Sequence, residues 1–162
     1  MIRLVREDEL ERALEIYEIA RGFMRENGNP HQWESVYPPR HVVETDIKSG
    51  QLYGVDEGDG VIHGVFAFIH GGEKDYEHIE GQWKDSGPYG TIHRVASDGT
   101  VKELVSLAKS LAAEHYESIR IDTHKDNLPM QGALRKNGFC ERGIIYLSDG
   151  SPRIAYEWIK KG

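Results

Sequence analysis

The stretch from Ile119 to Phe139 constrains the chain most, because it holds a strand, a capped helix and a helix stop in one short unit. Ile119 and Ile121 alternate with Arg120 and Asp122, the period-two pattern of a half-buried strand. Asp126 or Asn127 then offers a side-chain oxygen to the free N–H groups of a following helix. Gly138 predicts the helix end, since glycine just past the last turn takes a left-handed conformation that side chains resist. Phe139 opens the next apolar run, from Gly143 to Leu147.

The remaining segments extend this alternation. Ile2 to Val5 reads as a strand, and Asp8 with Glu11 resembles a capping box ahead of Leu10, Ala13, Leu14, Tyr17, Ala20 and Met24 at helical spacing. Gly28-Asn29-Pro30 breaks that helix, and Pro38-Pro39 starts a second one carrying Val42, Val43 and Ile47 to Gly50. Gln51 to Val55 and Val61 to His70 predict a hairpin around Asp56 to Gly60. The polar segment Gly71 to Gly87, with Tyr76, Ile79 and Trp83 embedded, is too long for a minimal loop and predicts a flap or short helix. Thr91 to Ser97 is a strand, and Val101, Leu104, Val105, Ala108, Leu111, Ala112 and His115 recur at helical spacing. A late hairpin joins Phe139–Leu147 to Arg153–Ile159 across Ser148 to Ser151. Strand–helix alternation needs right-handed crossovers between parallel neighbours, and the hairpins add antiparallel strands. The expectation is one mixed α/β sheet, with residues 1–162 forming a single domain.

Composition narrows the function classes. A net charge of −7 argues against phosphate-backbone binding, which needs a basic face, and mildly favours cationic substrates. One cysteine, Cys140, gives neither a disulfide framework nor a thiol cluster for zinc, so a reducing, cytoplasmic setting is expected. His63, His70 and His78 lack metal-site spacing, and no metal is expected. The N-terminus turns charged too soon for a signal peptide, and no apolar run approaches the ~20 residues that span a bilayer, so no membrane partner is expected.

Asn127 eleven positions before Gly138-Phe139, directly after a strand, resembles the C-terminal half of the GNAT N-acetyltransferase superfamily. Asn29 to Trp33, Tyr37-Pro38, Asp46-Ile47, Gly50, Tyr89 to Ser97 and Ile121 to His124 are similar to a bacterial branch without a firmly assigned substrate. The resemblance implies a GNAT-like acyl-CoA N-acyltransferase fold of about seven strands and four helices. It also implies acetyl-CoA as co-substrate, with the acetyl group moving to a primary amine of a small molecule or peptide by direct attack. A homodimer is left open.

By that resemblance the pantetheine arm lies along the Thr91–Ser97 strand, with the Val95 N–H facing the thioester carbonyl and Ala96 and Ser97 alongside. The diphosphate falls at Thr100, Val101, Lys102, Glu103, Leu104 and Val105. The family pattern there places small residues where this chain has Glu103 and Val105, and a carboxylate near a diphosphate is repulsive. Asn127 and Met130 flank the cofactor, and Arg135 and Lys136 are candidates for its phosphates.

An alkyl ammonium has a pKa near ~10.4, so a base is required. His93 is the first candidate, two residues before Val95 on a strand and so expected on the same face, and His124 is the second. The family often supplies the thiolate's proton from a tyrosine at the position of Leu134, and Tyr146 is a candidate replacement. Trp33, Tyr37, Tyr76, Trp83 and Tyr89 give the substrate side an aromatic character, equally explicable as core. Cys140, without an activating partner, is not read as a nucleophile. Glu103, Val105 and Leu134 keep two rivals open: a non-catalytic acyl-CoA binder or sensor, and an interaction module without cofactor.

Overall fold

In the computed structural model, which describes residues 1–33 and 37–160, these patterns resolve into one mixed sheet flanked by helices. The strands are β1 Ile2–Leu4, β2 Leu52–Asp56, β3 Ile62–His70, β4 Glu80–Gly81, β5 Gly90–Ser97, β6 Ser118–Thr123, β7 Cys140–Tyr146 and β8 Pro152–Ile159. The helices are α1 Leu10–Glu26, α2 Arg40–Lys48, α3 Leu104–Ala113 and α4 Leu128–Lys136. Strand order is β1-β2-β3-β5-β6-β8-β7-β4.

Helices cover both faces, which is why β3 is nearly continuously apolar. Val65 and Ala67 pack with Ala13, Ile16, Tyr17 and Val43 under α1 and α2. Phe66 and Phe68 point the other way, onto Ala108, Ile119, Leu134 and Tyr156 under α3 and α4.

Three expectations change in detail. Helix α1 begins at Leu10 without an Asp8–Glu11 box; instead Glu9 accepts the Arg6 N–H at 2.9 Å and takes a two-pronged Arg3 guanidinium at 2.8 Å on each oxygen. Arg3 comes from β1, so a tertiary contact fixes the helix start. Helix α3 begins at Leu104, not Val101, and of the two cap candidates before α4 it is Asn127 whose Oδ1 accepts the Met130 N–H at 3.1 Å. The eighth strand is β4, inside the segment read as a flap or short helix. Two glycines make it: a Cβ on Gly81 would overlap the Arg142 carbonyl and one on Gly143 the Glu80 carbonyl. The rest of that segment is packed, with Tyr76 buried and Arg120 held between the rings of Trp83 and Tyr89 at 4.1 and 3.8 Å.

One feature of the sheet opens the site. Strands β5 and β6 form the parallel pair, but only Gly90↔Ile119 and Thr91↔Arg120 are in register; beyond them the strands separate. On its other edge β5 carries a bulge: Val65 pairs with Ala96 and Ala67 with His93, leaving Arg94 and Val95 opposite Phe66, with Arg94 at φ 53°.

Candidate active site at a split in the sheet

Two cavities meet where β5 and β6 part. The first, about 510 Å³, runs between α1 and α4 along β5 to the start of α3. Val95, Ala96, Ser97, Val101, Glu103, Leu104, Val105, Asn127 and Met130 line it, joined by Ile19, Phe23 and Lys136. Three residues expected at the cofactor do not line it. Thr100 turns its hydroxyl to Asp98 Oδ1 at 2.6 Å, Lys102 lies outside the lining, and Arg135 sits beside Tyr156.

Glu103 occupies a left-handed conformation at φ 60°, the geometry for which glycine is suited, at the position where the family pattern has glycine. Its side chain is 55 % exposed and turns to Lys136 Nζ at 3.0 Å, while Val105 is buried in the core. Neither side chain fills the groove.

The second cavity, about 460 Å³, shares Met24, Val95, Asn127 and Met130 with the first. Its walls include His31, Gln32, Trp33 and Tyr37 before α2, Glu73 and Asp75 from the packed flap, His93 and Arg94 on β5, Asp122 on β6, and Asp149 with Arg153 at the last hairpin. His93 Nε2 is 3.2 Å from Glu73 Oε2, and that hydrogen bond holds the Glu73 carboxyl below its usual range despite burial. Asp122 Oδ2 accepts the buried Tyr76 hydroxyl at 2.7 Å. Burial, then the nearby charges of Glu73 and Asp122, push Asp75 up. Arg94 is spent on Asp46, with Nε and Nη2 donating at 2.7 and 2.8 Å. Carboxylates therefore dominate the wall.

The bulge corrects the same-face expectation for His93. His93 and Ala96 oppose Ala67 and Val65, which face α1 and α2, whereas Val95 packs with the core under α3 and α4. Both still reach the shared cavity because the bulge and the split bring the two faces together there. The other two catalytic candidates lie elsewhere. His124 lines neither cavity; its Nδ1 accepts the Asp126 N–H at 3.0 Å, and burial, followed by the charge of Arg153, lowers its pKa. Tyr146 is exposed on β7 and donates to Glu80 Oε1 at 3.0 Å, lining neither cavity. Of the aromatic candidates, Trp33 and Tyr37 line the second cavity; Tyr76 is core, and Trp83 and Tyr89 grip Arg120.

Sequence reasoning missed Glu73, Asp75, Asp122 and Gln32. Gln32 Oε1 accepts Asn127 Nδ2 at 2.9 Å and Asn29 Nδ2 at 3.0 Å, tying the segment after α1 to the start of α4. Asp122 carried one usable signal, a polar position in an alternating strand; the flap residues had no periodicity to betray them. Among the described residues no group of three or more His, Cys, Asp or Glu is arranged to hold a metal ion, and no helix is long and apolar enough to cross a membrane.

No protein-family model and no curated protein matches the sequence. Among solved structures, a GNAT family acetyltransferase from Streptococcus agalactiae 2603 is 32% identical, covering 100% of this chain and 96% of its own, with a TM-score of 0.88. AAC(6')-Ib, solved in complex with paromomycin and acetyl-CoA, is 18% identical over 98% of this chain and 92% of its own, at a TM-score of 0.65. The NatC complex bound to Gag peptide and CoA is 13% identical over 99% and 98%, also at 0.65. The latter two bear on the fold alone. The full-length match at 32% identity, on a split mixed sheet of this order, makes the chain a member of the GNAT acetyltransferase family.

Proposed function

We propose that the protein transfers an acetyl group from acetyl-CoA to a primary amine of a small molecule or peptide. The observation that carries this reading is the junction of the two cavities at Val95, Asn127 and Met130: one cavity has room for a long cofactor, and the other approaches the same point from the opposite side. Holding two reactants against each other supplies much of the acceleration such a reaction needs. Folds of this kind with acetyl-CoA and an aminoglycoside, or CoA and a peptide, support the choice of co-substrate and of amines as acceptors.

In this reading the acceptor arrives as an ammonium, drawn by Glu73, Asp75, Asp122 and Asp149. His93, with Nε2–H given to Glu73, takes the proton at Nδ1, directly or through water. The neutral amine then attacks the thioester carbon, the Val95 N–H stabilises the developing oxyanion, the C–N bond forms, the C–S bond breaks, and the second proton on the new amide nitrogen passes to solvent water. Leu134 is buried where the family often has a tyrosine, so the thiolate leaves unassisted; a thiol pKa near ~8.5 makes that departure inexpensive. Glu103 and its bridge to Lys136 favour one rival, an acyl-CoA binder without turnover.

The two readings separate by experiment. Acetyl-CoA at about 100 times its Kd should stabilise the protein by about 2.7 kcal/mol, raising the melting temperature. An amine panel should then release free thiol, and His93→Ala should lower kcat by about 100-fold with acetyl-CoA affinity retained. Stabilisation without thiol release would favour the binder; no stabilisation would defeat both readings.

A further inference from the structure

Asp98 follows the last residue of β5, and its side chain, 9 % exposed, gathers four donors. Oδ1 accepts the Thr100 N–H at 3.0 Å and the Thr100 hydroxyl at 2.6 Å; Oδ2 accepts Arg12 Nη2 at 2.7 Å and lies 2.6 Å from His63 Nδ1. Three parts of the chain, α1, β3 and the loop into α3, thus converge on one carboxylate. That loop gives Asp98, Gly99, Val101 and Glu103 to the groove wall and turns through two left-handed residues, Gly99 at φ 98° and Glu103 at φ 60°. The Asp98 N–H donates to the His63 carbonyl at 2.9 Å and the Gly99 N–H to Ser97 Oγ at 3.0 Å, but no strand or helix ladder runs across Gly99 to Val101, where the Asp98 side chain holds the turn through Thr100.

We propose that Asp98 is a positioning residue for the diphosphate end of the cofactor, held in place by protonated His63, so that affinity for nucleotide-tailed acyl-CoA falls when His63 loses its proton. The inference rests on the acyl-CoA reading of the groove and goes beyond it. The charged groups around His63 are Asp59 on the preceding turn, Asp98 on the loop, and Arg12 on α1, itself bridged to Glu15. An imidazolium donates from both nitrogens and serves Asp98 and Asp59 together, the latter at 2.8 Å from Nε2. A neutral ring has one N–H. Arg12 Nη2 stands 3.3 Å from Nδ1, ready to donate to it, so the neutral ring keeps Nε2–H on Asp59 and gives up Asp98.

Deprotonation then has two effects on the groove. Asp98 Oδ2 meets a lone pair instead of a proton, loosening the loop, and the cluster gains one net negative charge beside the site of an anion. The two carboxylates raise the His63 pKa, Asp59 most and Asp98 next, against the opposing effect of burial. The protonated clamp is therefore complete below the ordinary histidine range and is lost as pH rises through the raised value.

Calorimetric titration of CoA from about pH 6 to about pH 8.5 at fixed ionic strength tests this, comparing wild type with His63→Gln. Acetylpantetheine, which lacks the diphosphate and nucleotide, serves as the second ligand. The expected result is a CoA Kd that weakens about fivefold more across this range in wild type than in His63→Gln, with acetylpantetheine affinity equally flat in both. Asp98→Asn should raise the KM for acetyl-CoA more than it lowers kcat, while acetylpantetheine binding, measured in the same variant, reports whether the groove has kept its shape. Parallel CoA profiles for wild type and His63→Gln would overturn the inference and leave the acyl-CoA reading intact. No CoA binding by either protein at any pH would overturn both.

Discussion

Glu103 concentrates the local conflict on the cofactor path. A side chain at φ 60° costs roughly 1–2 kcal/mol relative to ordinary backbone, and its carboxylate, turned to Lys136, lies at the edge of the path proposed for a diphosphate. Lys136 offsets part of that charge, but both side chains are largely exposed, so the bridge itself is worth little. Glu103→Gly removes the strain and the charge together and frees Lys136 for a phosphate. Its expected outcome is CoA affinity tighter by about three- to tenfold, read by calorimetry, with stability changed by less than about 1 kcal/mol because glycine's flexibility cancels the relief. Weaker binding would mean that Glu103 itself contacts the cofactor. The sequence aligned this residue with a glycine of the family pattern, and its left-handed backbone suits a glycine there; its orientation depended on Lys136, thirty-three positions away.

At the level of elements, the bulge on β5 and the short pair β4–β7 do what periodicity cannot describe. Long amphipathic runs such as Leu10 to Met24, and the strand from Ile62 to His70, were legible because burial repeats along them. A bulge is a single added residue that resets the alternation, so His93 was expected on the face of Val95 and lies on that of Ala96. Strand β4 depends on two glycines that let backbones approach closely, and that approach is only visible once β7 is in place. Gly143→Ala should therefore lower stability by about 1–3 kcal/mol in urea unfolding and loosen the flap that carries Glu73 and Asp75. Gly132→Ala in α4, where an added methyl meets nothing, should instead stabilise by about 0.5–1 kcal/mol. Equal effects from the two substitutions would deny β4 its structural role.

For the molecule as a whole, charge placement sets a stability window. Glu9 is depressed by the Arg3 hydrogen bonds, and Glu73 by His93. Asp98 is brought down to about 2, where burial pulls upward but the hydrogen bonds from Thr100 and His63 outweigh it. Lowered carboxylates contribute stability that is fully present above their unfolded values near pH ~4 and lost as pH falls through the folded ones. His63 runs the opposite way: its contribution is complete below about pH 6.5 and fades as pH rises through its raised value. Urea unfolding across pH should thus give a maximum between about pH 5 and pH 7. A flat profile from acid to alkaline pH would contradict these assignments.

Lining residues such as Val95 to Ser97, Val101, Glu103 to Val105 and Asn127 lie at a strand end, a helix start or a helix cap, features with local signals, whereas Thr100 and Lys102 on the same stretch do not line the groove. The second cavity was not legible in the sequence, since it joins the segment after α1, the flap, two strand ends and the last hairpin, none adjacent in the chain.

The parting of β5 and β6 is the proposed seat of the cofactor, and a crystal structure of the acetyl-CoA complex measures that directly. The pantetheine arm is expected along β5 from Val95 to Ser97, the diphosphate against Gly99 to Val105 with Lys136 released from Glu103, and the acetyl group facing His93 and Glu73. Cofactor bound at another surface, or a split left empty at saturating acetyl-CoA, would contradict it.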